Sequence, residues 1–330
     1  MKKVRIGFVG AGRMGQMAHI ACYSQIKDCE LVGLAEGRAK TAQLVANHYG
    51  IGEVYGSLDE MLAKADLDAV VAIMGFNLHH SVVPHILEAG KHVLTEKPLC
   101  ICPETGRRLA ALAEEKGLIY HVGYMKRCDV AMRCAVKTIR EWKESGICGK
   151  MNYVRITMPS GNWTLEPDDP IRTDDEAVVY EGEAPEPTPD WMDEATSRLY
   201  ISFVNFWIHQ VNALRYLLGE DYEVVYADPA GMTLTAMSAL GVPCVLEMGG
   251  YGAKDHWEEF YKVCFERGKI DLKVSAPMGR QRAGEIRIFT SEAEGELSKV
   301  TEPILPQKWA FMEQARHFVR CVGLGEVTWS

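Results

Sequence analysis

Arg5-Ile6-Gly7-Phe8-Val9-Gly10-Ala11-Gly12-Arg13-Met14-Gly15 is an apolar run that breaks into three glycines spaced G-x-G-x-x-G and then enters a helix-period stretch from Met14 to Ser24. A strand before the glycines and a helix after them separate this pattern from a chance glycine cluster. Each glycine has its own task. Gly10 permits the tight turn, Gly12 lets backbone approach a pyrophosphate, and Gly15 lets helix and strand pack closely, with Arg13 and Met14 completing the loop. The helix dipole then faces the phosphates.

Working outward, residues 3 to 123 alternate short β-branched runs with longer amphipathic stretches. The runs are Arg5 to Val9, Glu30 to Ala35, Asp68 to Met74, His92 to Thr95 and Leu118 to Val122. The spacing predicts helices around Ala39 to His48, Leu58 to Ala65, His80 to Ala89 and Glu104 to Lys116. Such alternation reads as βαβ units in a parallel sheet, an N-terminal Rossmann domain over residues 1–125. After a helix at Val130 to Glu144 the pattern changes. Lys150 to Thr157, Glu223 to Ala227, Met232 to Ala239, Pro243 to Met248, Phe260 to Glu266, Ile270 to Val274 and Glu285 to Phe289 read as strands with few helices between them. Residues 126–330 are therefore expected to form a C-terminal domain built on a largely antiparallel sheet. Pro159 to Tyr200, rich in Asp, Glu and Pro, reads as a long loop or lid whose acidity mainly solvates it.

Composition narrows the function classes. Lys and Arg number 36 against 45 Asp and Glu, a net charge of −9, which disfavours a nucleic-acid partner. No stretch approaches the roughly 18 apolar residues of a membrane span. Met1-Lys2-Lys3 with Val4 to Val9 is too short for a secretory leader and runs into the glycines. Ten cysteines with no export signal read as thiols, and a cytoplasmic location follows. Cys100 and Cys102 lack the spacing of a structural zinc site, so no metal is expected.

Glu36 closes the second strand, where a carboxylate pairs with a ribose diol and repels a 2′-phosphate. NAD is favoured over NADP on this ground, although Arg38 and Arg13 lie near enough in sequence for a guanidinium to accept that phosphate. Asn77, His79 and His80 follow one strand and Glu96-Lys97-Pro98 another, so both groups fall at the carboxyl edge of the sheet.

Together, Gly10 to Gly15, Asn77-x-x-His80, Gly90-Lys91-His92-Val93 leading into Glu96-Lys97-Pro98, and Gly123-Tyr124-Met125-Lys126-Arg127 resemble the glucose-fructose oxidoreductase, inositol dehydrogenase and rhizopine catabolism (Gfo/Idh/MocA) family. The resemblance continues through Gly146 to Lys150 and through His209 with Arg215 to Gly219, and weakens in the C-terminal sheet. It implies an NAD(P)-dependent enzyme acting on a sugar, glycoside or polyol, in which Lys97 hydrogen-bonds the reacting hydroxyl and His209 is the general acid/base. It also implies that residues 126–330 are a C-terminal α/β domain with a large open, mainly antiparallel sheet for substrate binding and oligomerisation, its final helix packing back on the fold, and that the protein is a homo-oligomer, whether dimer, tetramer or hexamer. Gly10, Gly12, Arg13, Met14, Gly15, Glu36, Arg38, Asn77, His80, Glu96 and Lys97 are the implied cofactor contacts.

Where the family often writes Asp-x-x-x-His-x-x-Asp, this chain has Asn205, His209 and Asn212. On one helix Asn205 touches His209 but cannot stabilise an imidazolium, which leaves Lys97 and Tyr124 as alternative bases. Trp163, Trp191, Trp207, Tyr180 and Tyr200 crowd the acidic stretch and the helix after it, where aromatic faces suit both sugar stacking and core filling. The core reading is favoured for Trp207, and both remain open for Trp163 and Trp191. Arg127 and Asp129 suit either a pocket lining or a structural ion pair. Two rivals accompany the dehydrogenase: a redox-neutral glycoside-processing enzyme that keeps its NAD and oxidises C3 transiently, and a dinucleotide-binding regulator without catalysis. The chain stops at Thr328-Trp329-Ser330 where family members continue, so a further C-terminal stretch is expected.

Overall fold

The computed structural model describes residues 2–159, 161–164, 169–176, 184–249, 256–292 and 297–329. They form two compact units, one of Met1–Tyr124, Asp168–Phe206 and Phe311–Ser330, the other of Met125–Pro167 and Trp207–Ala310. A single cut after residue 125 would miss the two later segments that return to the first unit. The helices are α1 (Ala21–Tyr23), α2 (Ala39–Tyr49), α3 (Leu58–Lys64), α4 (His79–Glu88), α5 (Pro103–Glu115), α6 (Val130–Ser145), α7 (Glu194–Phe206), α8 (Ile208–Leu218) and α9 (Ala310–Leu324). A π-helical turn, Gly15–Ile20, precedes α1.

In the first unit β1 (Val4–Val9), β2 (Cys29–Ala35), β3 (Glu53–Tyr55), β4 (Ala69–Ala72), β5 (His92–Glu96) and β6 (Tyr120–Gly123) form a parallel sheet in the order β3-β2-β1-β4-β5-β6. This is the Rossmann order. Ile6, Phe8, Val70 and Val71 are wholly buried, because helices cover both faces and the strands must be apolar throughout. The strand order reverses between β1 and β4, which opens a crevice outside their carboxyl ends. The returning α9 packs in this unit, with Phe311 edge-on to His19 and the His317 ring 6.1 Å from that of His121.

The second unit holds a mixed sheet, β14-β13-β12-β11-β7-β10-β9-β8, in which only β7 and β10 run parallel. These strands are β7 (Met151–Thr157), β8 (Tyr222–Ala227), β9 (Thr233–Ser238), β10 (Pro243–Glu247), β11 (Phe260–Phe265), β12 (Gly268–Lys273), β13 (Glu285–Ser291) and β14 (Ser298–Thr301). Ala135, Ile139 and Trp142 of α6 and Leu214, Leu217 and Leu218 of α8 bury one face against Val154, Ile156, Tyr261, Val263, Ile270 and Leu272. Each fully buried aliphatic side chain contributes about 1.5–3 kcal/mol. The alternation in β11 and β12 leaves Phe260, Lys262, Asp271 and Lys273 on the other, open face.

Three features depart from the sequence reading. β3 and β14 have three and four residues, too short for alternation to register. The acidic stretch is not loop to its end, since α7 starts at Glu194. Helical hydrogen bonding is interrupted at Trp207, a turn between α7 and α8, so Asn205 lies in the last turn of one helix and His209 in the first turn of the next. The continuous helix face that would pair them is absent, and Trp207 is half-buried rather than core.

His79, wholly buried at the start of α4, sets its Nδ1 3.1 Å from the Pro98 carbonyl and 3.2 Å from that of Leu99. Burial outweighs these two hydrogen bonds and pushes its pKa down to about 4 from 6.5, so the neutral ring donates Nδ1–H at neutral pH. The unfolded chain takes up this proton below pH 6.5 and the folded chain only below about 4, so stability falls as pH drops through that window. Its contribution there is about 3 kcal/mol. His79→Asn keeps a donor but does not titrate, and urea melts should show its stability deficit against the parent shrinking from pH 7 to 4. A deficit independent of pH would contradict the assignment.

Candidate active site

The glycine loop leaves β1 at the strand reversal. Gly10 has φ +85°, and a Cβ there would collide with the Ile73 carbonyl. A Cβ on Gly15 would lie 2.7 Å from the Gly10 carbonyl oxygen, which is the close packing the sequence implied. At Gly12 a Cβ would meet nothing within 4 Å, so this position faces open space. Arg13 beside it is exposed and Met14 opens the π-helical turn.

Glu36 is buried and ties two loops together. Its Oε2 accepts from Ala11 N at 2.8 Å, its Oε1 from Arg38 N at 3.1 Å, and the Arg38 guanidinium grips both oxygens at 2.7 and 2.9 Å. Burial raises its pKa, but the Arg38 guanidinium and the two N–H groups more than offset this and hold the carboxyl below the usual range. Arg38 therefore spends part of its charge on Glu36.

At the end of β5, Glu96 accepts from Lys97 N at 3.2 Å and lies 2.8 Å from His19 Nε2. Desolvation works against its charge, and His19 and Lys97 outweigh it, so its pKa is lowered. The Lys97-Pro98 peptide is cis. Lys97 Nζ donates to the backbone carbonyl of Asn205, whose own side chain is exposed. Asn205 thus meets the lysine through its main chain. The Asn77 carbonyl accepts from Glu186 N at 2.8 Å, and the His80 carbonyl from Arg108 at 3.3 Å. Tyr124 N donates to the Val122 carbonyl at the end of β6.

Three acidic residues that the sequence left to solvent make contacts in this unit. Glu186 is buried and caps the approach to α5 by accepting from Ile101 N at 2.7 Å and Cys102 N at 3.2 Å, while Tyr200 donates to the Ile101 carbonyl at 2.7 Å. Asp174 and Asp175 reach α2. Trp191 is 76% exposed, so it is not core.

The second unit has its own polar centre. Lys126 and Glu259 form a buried ion pair, and Gln210 Nε2 (2.8 Å) and Tyr261 Oη also donate to the same Glu259 oxygen. Desolvation lowers the Lys126 pKa against the pull of Glu259 and raises that of Tyr261. Removing one partner of such a pair costs about 3–5 kcal/mol. Gln210 adjoins His209 in the first turn of α8, so the pair pins the helix that carries the histidine. Arg127 donates to Asn212 Oδ1 at 2.7 Å and lies over the Tyr216 ring, whereas Asp129 caps α6 by accepting from Ala131 N and Met132 N. Trp163 is half-buried in this unit, its carbonyl accepting from Met278 N at 3.2 Å. Tyr180 lies outside the described residues. All ten cysteines are thiols, none joined in a disulfide. Among the described residues no helix is long and apolar enough to cross a membrane, and no cluster of His, Cys, Asp and Glu is placed to hold a metal.

Residues 4–124 match the model of an oxidoreductase family with an NAD-binding Rossmann fold, GFO_IDH_MocA. The chain is 26% identical over 225 residues to the myo-inositol 2-dehydrogenase of Thermotoga maritima, covering 68% of this chain and 58% of that protein. It is 31% identical over 152 residues to the D-glucoside 3-dehydrogenase of Escherichia coli K12, covering 45% and 41%. It thus spans less than two thirds of the length of both relatives. In fold it resembles KijD10, a 3-ketoreductase from Actinomadura kijaniata solved with NADP and TDP-benzene, with a TM-score of 0.69 over 99% of this chain and 92% of that one at 17% identity. The glycine loop, the strand order and the match over residues 4–124 agree that this N-terminal segment is an NAD-binding Rossmann domain of the Gfo/Idh/MocA oxidoreductase type.

Proposed function

We propose that the protein is an NAD-dependent oxidoreductase that moves a hydride between the nicotinamide and a hydroxyl, at C3, of a sugar, glycoside or polyol. The observation that carries the proposal is the joint placement, on one carboxyl edge, of an open glycine loop, a ribose-competent Glu36 and the Lys97 step. The similarity to a myo-inositol 2-dehydrogenase and to a D-glucoside 3-dehydrogenase supports a carbohydrate substrate, and the second of these supports the choice of C3.

The residues present fit the dinucleotide. The open side of Gly12 admits a pyrophosphate against backbone, and Glu36, buried and ionised, offers carboxylate oxygens to a ribose diol. Asn77, His80 and Glu96 border the same edge. When bound, NAD supplies the hydride acceptor or donor. Lys97 holds and polarises the reacting hydroxyl through its ammonium, kept in place by the Asn205 carbonyl and by the His79 hold on the following loop. His209 takes or returns the hydroxyl proton, with Tyr124 as the alternative base. Arg127 and Trp163 are assigned to substrate contact, and homo-oligomerisation to the open sheet face of the second unit.

Two experiments separate cofactor binding from chemistry. Gly12→Ala should leave the melting temperature unchanged, since its Cβ meets no atom, yet weaken NAD binding about tenfold or more, whereas Gly10→Ala should lower the melting temperature itself. NAD binding by Gly12→Ala equal to that of the parent would remove the loop from the site. Lys97→Ala should lose roughly 10²–10⁴ in turnover while NAD affinity, read by tryptophan fluorescence, stays within about threefold. Sugar-driven cofactor reduction that survives in Lys97→Ala would overturn the lysine's role.

A further inference from the structure

Residues 171–175 of the acidic stretch form a strap across the two loops that handle a dinucleotide in this fold. At one end Gln16, buried in the turn after the glycines, reads both backbone groups of Ile171: its Oε1 accepts from Ile171 N at 2.8 Å, and its Nε2 donates to the Ile171 carbonyl at 3.0 Å and to the Ala11 carbonyl at 2.8 Å. At the other end Asp175 sits on the N-terminus of α2. Its Oδ2 accepts from Lys40 N at 2.9 Å and Thr41 N at 3.2 Å, and its Oδ1 from Thr41 Oγ1 at 2.8 Å and from Thr173 Oγ1. Asp174 pairs with Lys40 Nζ at 2.7 Å.

The N-cap residue of α2, Arg38, makes no side-chain cap, so Asp175 supplies the missing acceptor from 134 residues away. First-turn N–H groups and a lysine ammonium just after β2 are the donors that an anion on the adenosine ribose would seek. Here they are taken by carboxylates of the chain itself.

Charge decides what this does. Glu36 and Arg38 neutralise each other, so Glu36 alone repels a 2′-phosphate weakly. With Lys40 the set carries one net positive charge, which would attract that phosphate. Asp174 and Asp175 turn it to one net negative charge. Resting on the dinucleotide-binding reading above, we infer that Asp174 and Asp175 are specificity-determining residues. They act as a built-in anion at the α2 N-terminus, and they reject the 2′-phosphate of NADP and so select NAD.

The test is the ratio of NADP to NAD affinity, titrated by tryptophan fluorescence quenching at low and at high salt. Asp174→Asn/Asp175→Asn keeps acceptor oxygens in place and removes two charges. NADP should tighten about tenfold or more at low salt, NAD should change less than about threefold, and the gain should shrink at high salt. Asp169→Asn, an exposed charge of the same stretch, should change neither affinity. If the double variant melts early, each single variant should show a smaller gain in the same direction. An unchanged ratio in the double and single variants, or an equal gain in Asp169→Asn, overturns the inference while NAD binding still stands. A parent protein that binds neither dinucleotide overturns both this inference and the proposed function. NAD binding without sugar turnover leaves the inference intact and counts against the proposed function alone.

Discussion

The turn from β1 into the first helix can close only if two backbones nearly touch. Gly15 lies so close to the Gly10 carbonyl that any side chain there would collide, and Gly10 itself takes a left-handed conformation. Because both positions are glycine, the helical turn starts at the strand end and aims its amide groups over the crevice where the sheet order reverses. Glu36 then locks the neighbouring loop to this turn by accepting from Ala11 N and gripping Arg38. The cofactor-facing geometry of the first unit follows from that close approach.

The second unit is organised around the opposite kind of constraint, a charge that must not be left alone in the core. Glu259 is wholly buried and gathers Lys126, Gln210 and Tyr261 onto one oxygen. Desolvating such a pair is costly, so its justification is positional: it holds the turn at Met125–Cys128, the start of α8 and the start of β11 in one arrangement. His209 rides on the element so held.

The parts legible in the sequence were those whose signal is local. β1, β2, β4, β5 and β6 announced themselves because burial on both faces demands unbroken apolar runs, and the glycine loop because its spacing is contiguous. β3 and β14 are too short to show a period. Lys126 read as one more lysine of a motif, since its partner lies 133 residues away. The acidic stretch read as solvated for the same reason: Asp175 and Glu186 find their partners 134 and 85 residues off. The Asn205–His209 reading assumed one continuous helix, whereas α7 ends at Phe206 and α8 starts at Ile208.

The most direct test of the account is a single-turnover mixing experiment in which the protein and NAD meet a panel of glucosides and inositols while the near-ultraviolet absorbance of the dihydronicotinamide is followed. The account predicts a burst of reduction that matches the number of protein chains for at least one of these sugars and is absent without sugar. NAD shown to bind at the glycine loop, with no reduction by any carbohydrate hydroxyl, would contradict it.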